Sequence, residues 1–193
     1  MKDWMSAWNQ DEYLQNKRNT FNLIDGYLKK PPQRILDIGC GLARESEFFQ
    51  KKYNTELYLL DGDFSETEDR SRDVKFANVD TFKFYSKIDD LKKSWDERQM
   101  HYTFIDANNI SIPREIKFDL VYSILSCGFH YPIDAYTDLI RKHTTKNSTI
   151  IMDIRSSTLA DISDRIEILD VLTKNKKYCR AVISLGINNL LEN

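Results

Sequence analysis

The stretch RILDIGCGLAR, residues 34–44, constrains this chain more than any other. An apolar run ends without a spacer in Gly-x-Gly, and residues 43–53 then have helical character with Phe48 and Phe49 facing inward. Glycines there allow a tight turn and let the backbone approach a ligand at a distance a β-carbon would forbid. The spacing predicts strand, ligand-binding turn and helix in succession. Dinucleotide enzymes use such a turn too, but they require a third small residue at the sixth position, which is Arg44 here. About thirty residues of helical pattern also come first, where a dinucleotide fold would already have begun.

The rest of the chain continues the alternation. Residues 1–30 read as helical, with Trp4, Trp8, Tyr13, Phe21, Leu23, Ile24 and Leu28 on an apolar face and Pro31-Pro32 as the stop. Strands are expected at 56–60, 101–105, 119–123 and 149–154. A helix capped by Asp80 is expected through Phe84, Ile88, Leu91 and Trp95, and another at 133–143. After Ser156 the pattern predicts a helix through Leu159, Ile162, Ile166, Leu169 and Leu172, then a strand at 178–185, with 187–191 as a possible short seventh strand. Strand and helix alternating at this spacing imply right-handed crossovers, so the expected class is α/β: a three-layer α/β/α sandwich around a mostly parallel, doubly wound sheet of six to seven strands, preceded by N-terminal helices. At 193 residues it reads as one domain, with a helical cap at 1–30, a core at 33–155 and a helix with an edge strand at 156–193.

Charge and cysteine usage narrow the partners. With 28 basic and 30 acidic residues the net charge is −2, so no global field gathers polyanions, and Arg141, Lys142, His143 and Lys146 read as a solvated helix end. Nucleic acid is disfavoured as a partner. Cys40, Cys127 and Cys179 are scattered without CxxC spacing, which suits reduced thiols and a cytoplasmic location rather than a disulfide framework or a structural zinc site. No apolar run approaches the ~20 residues needed to cross a bilayer, so no membrane association is expected. The three histidines show no ligand spacing, and no metal is expected.

The run Ile35-Leu36-Asp37-Ile38-Gly39-Cys40-Gly41-Leu42-Ala43 resembles the first motif of the class I (Rossmann-like) S-adenosylmethionine (SAM) dependent methyltransferases, with alanine in place of the third glycine. That alanine asks for a negative φ. The resemblance extends over about residues 10–155 and implies SAM as cofactor and S-adenosylhomocysteine (SAH) as product. It implies that Gly39, Cys40 and Gly41 form the cofactor turn and that Asp37 orients it. Asp61, with Gly62 beside it and Asp63 as the fallback, would take the ribose hydroxyls; a carboxylate accepts two O–H donors at once. In Phe104-Ile105-Asp106-Ala107-Asn108, Asp106 would accept from the adenine amine, and Ala107 or Asn108 would offer a backbone N–H to the ring. The implied acids lie at the carboxyl ends of successive strands, where open α/β sheets place ligands. The resemblance also implies a seventh, antiparallel strand.

The same resemblance puts the chemistry after the fourth major strand, at residues 122–132, and Ser123 there is a further cofactor candidate. The Asn/Asp-Pro-Pro-Tyr motif of base-amine methylation is absent, and Cys127 follows Ser126 rather than the proline that cytosine-carbon enzymes need. The acceptor expected is an O or N atom of a small molecule or sugar. His130 is the candidate general base, since an ordinary imidazole titrates near pH 6.5, and Tyr131 is a second catalytic candidate. Phe129 is expected to line the acceptor pocket on one side, and Trp4, Trp8 and Tyr13 on the other. A sheet edge left uncovered would favour a homodimer. Two rival readings stay open: a catalytically silent SAM-binding subunit that activates a partner, and a nicotinamide or nucleotide enzyme.

Overall fold

A computed structural model of the chain describes residues 10–63, 75–76, 79–80, 87–162 and 164–185. Among the described residues the first helix, α1, spans Asp11–Tyr27, and β1 (Arg34–Ile38) runs through the glycine turn into α2 (Arg44–Tyr53). Next come β2 (Glu56–Asp61), a two-strand ribbon of β3 (Lys75–Phe76) and β4 (Val79–Asp80), and α3 (Ile88–Glu97). β5 (Tyr102–Asp106) and β6 (Leu120–Ser123) follow, then a 3₁₀ turn at Ile133–Tyr136 that leads into α4 (Thr137–His143). Last among the described residues are β7 (Thr149–Arg155), β8 (Ile166–Lys174) and β9 (Tyr178–Leu185).

Seven strands form one sheet in the order β5-β2-β1-β6-β7-β9-β8. The first four pairings are parallel, whereas β9 lies antiparallel between β7 and β8. The central strands are buried on both faces, so alternate residues feed two cores. Ile35, Leu57, Leu59, Tyr122 and Ile151 pack with Phe21 and Ile24 of α1, Phe49 of α2 and Trp95 of α3. Leu36, Ile38, Leu60, Val121 and Met152 pack on the opposite face with Ile133, Tyr136 and Ile140. The result is the expected three-layer sandwich. Strand order reverses between β1 and β6, the switch point that opens a crevice beyond the strand ends.

Three expectations are corrected. Residues 166–174 form a strand, not a helix: IEILDVLTK shifts register between Ile168 and Asp170 and again between Val171 and Thr173. Each shift moves the side-chain parity by one, which turns a strand's alternation into something close to helical spacing. Asp80 lies in β4, whereas α3 starts at Ile88, whose N–H is accepted by Asp63 Oδ2 at 2.9 Å. With β8 and β9 both present, the sheet already has its seventh strand. The expected strand at 187–191 and the side chains of Trp4, Trp8 and Phe84 fall outside the described residues. β8 is an edge of the sheet and exposes Ile168, Leu169 and Val171.

Candidate functional site at the sheet switch point

The glycine turn is left-handed three times in five residues: φ is +68° at Gly39, +48° at Gly41 and +49° at Ala43. The negative φ expected at Ala43 is therefore corrected; the position keeps a glycine-like conformation that costs a β-carbon-bearing residue about 1 kcal/mol. Gly39 and Cys40 both donate their N–H to Leu60 O, at 2.8 and 3.2 Å, which anchors the turn to the end of β2. A β-carbon on Gly39 would lie 1.7 Å from Ser126 Oγ, so the loop after β6 presses directly on this glycine.

The acids divide by what holds them. Asp61 Oδ2 accepts the Gly41 N–H at 2.7 Å and Oδ1 accepts the Gly62 N–H at 2.8 Å. Burial raises its carboxyl to about 6, against the lowering effect of those two donors. Cys40 Sγ lies 3.9 Å from Oδ2, and burial pushes this thiol well above its ordinary range. Asp63 is occupied as the cap of α3, a structural task that the fallback assignment did not anticipate. Asp37 is buried and takes the Ser46 hydroxyl at 2.8 Å, and Ser46 Oγ also meets Tyr122 OH at 2.5 Å. Burial first, and then the charge of Glu45, raise the Asp37 carboxyl to about 7. At the end of β5, Ala107 donates its N–H to Asp61 O at 2.9 Å, and Asn108 donates to Asp106 Oδ1 at 2.8 Å. Both amides expected to face an adenine ring have protein partners. Asn108 is exposed and its bond to Asp106 is a local turn, so it is the one that can be exchanged.

Beyond β6 the polar groups serve mostly one another. Ser123 is fully buried; its hydroxyl donates to Ile38 O at 2.8 Å and accepts the Cys127 N–H at 2.7 Å, pinning β1 to the loop. Leu125 has φ +53° and an exposed side chain, and its N–H goes to Asp153 Oδ2 at 3.0 Å. Asp153 is clamped by Arg180, Nε to Oδ1 at 2.7 Å and Nη2 to Oδ2 at 2.8 Å, while Arg180 Nη1 reaches Thr20 Oγ1 of α1 at 3.0 Å. Tyr131 is buried, with its hydroxyl 2.7 Å from Ser126 Oγ. Burial also pushes the Cys127 thiol up, which leaves it inert as a nucleophile. His130 is half-buried; burial and then Arg155 lower its pKa, so its imidazole is neutral at pH 7. Phe129 stacks edge-on against His130 at 5.0 Å and under the Arg155 guanidinium at 4.2 Å. Tyr13 lies by Lys17, whose Nζ is 2.9 Å from Glu45 Oε1 at the start of α2.

The fold thus brings Asp37, the glycine turn, Asp61, Asp106 and the β6 loop to one end of the sheet. Sequence reasoning missed Ser126, Asp153 and Arg180. The last two had a signal: one acid and one base, each inside an otherwise apolar strand, must find a partner once buried. Among the described residues, no group of three His, Cys, Asp or Glu side chains could hold a metal ion, and no helix is long and apolar enough to cross a membrane.

No protein-family model and no curated protein matches this sequence. Solved structures do match the fold. The PH0226 protein of Pyrococcus horikoshii OT3 aligns over 92% of this chain and 93% of its own, with TM-score 0.62 and 14% identity. The ribosomal protein L11 methylase of Lactobacillus delbrueckii subsp. bulgaricus aligns over 89% of this chain and 79% of its own, with TM-score 0.58 and 13% identity. The magnesium protoporphyrin IX methyltransferase of Synechocystis PCC 6803, solved with bound SAM, aligns over 90% of this chain and 79% of its own, with TM-score 0.51 and 17% identity. The fold is the class I methyltransferase fold. In this methyltransferase fold β9 is the antiparallel seventh strand that the first-motif resemblance implied, placed between β7 and β8.

Proposed function

We propose that the protein is a SAM-dependent methyltransferase acting on an O or N atom of a small molecule or sugar. The observation that carries this reading is the set of carboxylates at the ends of β1, β2 and β5, gathered around a left-handed glycine turn. The residues fit the cofactor. Each Asp61 oxygen accepts one backbone N–H; Oδ1 keeps a further lone pair for one ribose hydroxyl, and Oδ2 takes the second by giving up the weak Cys40 thiol contact at 3.9 Å. Asp106 accepts from an adenine amine, and Asn108 exchanges its turn bond for the ring. Asp37 acts from beneath, steadying the first turn of α2 through Ser46.

Bound SAM supplies a methyl group on a sulfonium, and the protein's part is then to align an acceptor and take up its proton. His130, neutral at pH 7, is the base that this reading assigns. Tyr131 serves as a wall beside Gly39, together with Phe129 and Tyr13 at the rim. A second reading, a silent SAM-binding subunit that activates a partner, is favoured by one observation: the Ser126, Tyr131 and Cys127 side chains of the acceptor loop are buried. Calorimetric titration tests the first step. Micromolar binding of SAM and SAH, weakened about tenfold or more in Asp61→Ala, is expected for the loss of charge-assisted hydrogen bonds. Binding of NAD alone, or of nothing, would contradict the assignment. Binding without SAH formation across hydroxyl and amine acceptors until a partner protein is added would favour the silent subunit.

A further inference from the structure

Of the three left-handed residues in the turn, only Ala43 carries a β-carbon, and that atom is buried in the core, so the residue cannot relax outward. Something else must hold the backbone there. The two carbonyls just before it are both taken by side chains from the end of α3: Gly41 O accepts Trp95 Nε1 at 3.2 Å, and Leu42 O accepts Arg98 Nη2. Arg98 Nη1 then pairs with Glu47 in the first turn of α2. One guanidinium therefore bridges the residue before Ala43 and the turn after it. Its own position is fixed twice over, since Arg98 Nε donates to Ser94 O at 3.0 Å and α3 is held at its start by Asp63. Glu47 is a strong anchor. Burial alone would raise it, but Lys51, Arg98 and Arg44 hold its carboxyl down at about 2.

We propose that Arg98, supported by Trp95, is a positioning residue that holds the glycine turn in its left-handed course and takes over what a third glycine would provide. The turn is gripped from two sides: Asp61 holds the Gly41 N–H at 2.7 Å, and the Trp95–Arg98 pair holds the carbonyls of Gly41 and Leu42. The planar guanidinium can donate in two directions at once, which an ammonium cannot do with the same geometry. The consequence for ligand binding rests on reading this turn as the cofactor site.

Glycine at position 43 adopts positive φ without strain, so the need for Arg98 must shrink in that background. The test is a double-mutant cycle on the full chain, with SAH as the probe and urea unfolding without ligand in parallel. Arg98→Ala is expected to weaken SAH about tenfold in the natural sequence but no more than about threefold on top of Ala43→Gly, with Arg98→Lys intermediate. An equal loss in both backgrounds, or no loss in either, overturns the proposal. If the unsubstituted protein binds no SAH, the cofactor reading fails, and the unfolding cycle decides the clamp: a smaller shift of the urea midpoint in the Ala43→Gly background supports it, and additive shifts overturn it. Should Arg98→Ala not fold, Arg98→Lys and Arg98→Gln carry the same cycle.

Discussion

The two halves of the sheet use their polar groups in opposite ways. On the β1–β2–β5 side, Asp61 and Asp106 accept backbone N–H groups from neighbouring turns and keep acceptor capacity. On the β6–β7–β9 side, Asp153 is consumed by Arg180 and Leu125, Ser126 is joined to Tyr131, and Ser123 is spent between β1 and the loop. A carboxylate held without a charged partner is poised for a ligand, whereas one locked in a bidentate ion pair is architecture. The first half carries the proposed cofactor site. In the proposed reading the second half would frame the acceptor.

Removing a carboxylate from the architectural half should have the larger effect. Asp153→Ala leaves Arg180 charged and buried and the Leu125 N–H unpartnered, and should lower stability by about 3–5 kcal/mol in urea unfolding. Replacing both partners by apolar residues, Asp153→Ala with Arg180→Leu, should cost less than Asp153→Ala alone. A single substitution without effect would erase the contrast between the halves.

The seam between the halves comes next. Gly39→Ala puts a β-carbon 1.7 Å from Ser126 Oγ and 2.5 Å from Ser126 Cβ at a positive φ. A loss of about 2–3 kcal/mol is expected from overpacking and backbone strain, and Ser126→Gly should restore the packing part of it. Failure of Ser126→Gly to recover any stability would mean that the turn and the loop do not press on each other.

The effect in the first half depends on pH. Asp37 titrates at about 7 in the folded protein against an ordinary 3.8, so the folded state holds the extra proton in that window. Its stabilising contribution is present in full below the unfolded value and is lost as pH rises through about 7. Asp37→Asn should therefore gain on the unsubstituted protein between pH 5 and pH 8, by about 2–3 kcal/mol. Glu47 works in the other direction, since a carboxyl held at about 2 contributes stability that is lost only as pH falls from about 4.5 towards 2. A flat difference between Asp37→Asn and the parent across pH 5–8 would show that Asp37 is ionised throughout.

The same division explains what could be read from the chain. β1, its glycines and Asp61 are legible because the chemistry is local: an apolar run, a turn that only small residues allow, and an acid at the next strand end. β5, β6 and β7, with a helix before β5 and another between β6 and β7, are legible for the same reason. β8 was not, because two register shifts within IEILDVLTK scramble the period-2 signal. Asp63 and Asp80 illustrate the limit for caps. Asp63, 25 residues upstream of Ile88, caps α3 through the tertiary fold, while Asp80, nearer in sequence, is in a strand. Ala43 shows that the identity of a residue does not set its φ when the surroundings over-determine it. Ser126 and Arg98 act through contacts that no spacing rule reports.

Hydrogen exchange with and without saturating SAH tests the central claim most directly, since it reports where a ligand sits and needs no acceptor. Slowed exchange concentrated in residues 39–43, 61–63 and 106–109, with little change in β8 and β9, is the expected result. Protection elsewhere with this end of the sheet unchanged, or no protection at any concentration, would contradict a cofactor site at the carboxyl ends of β1, β2 and β5.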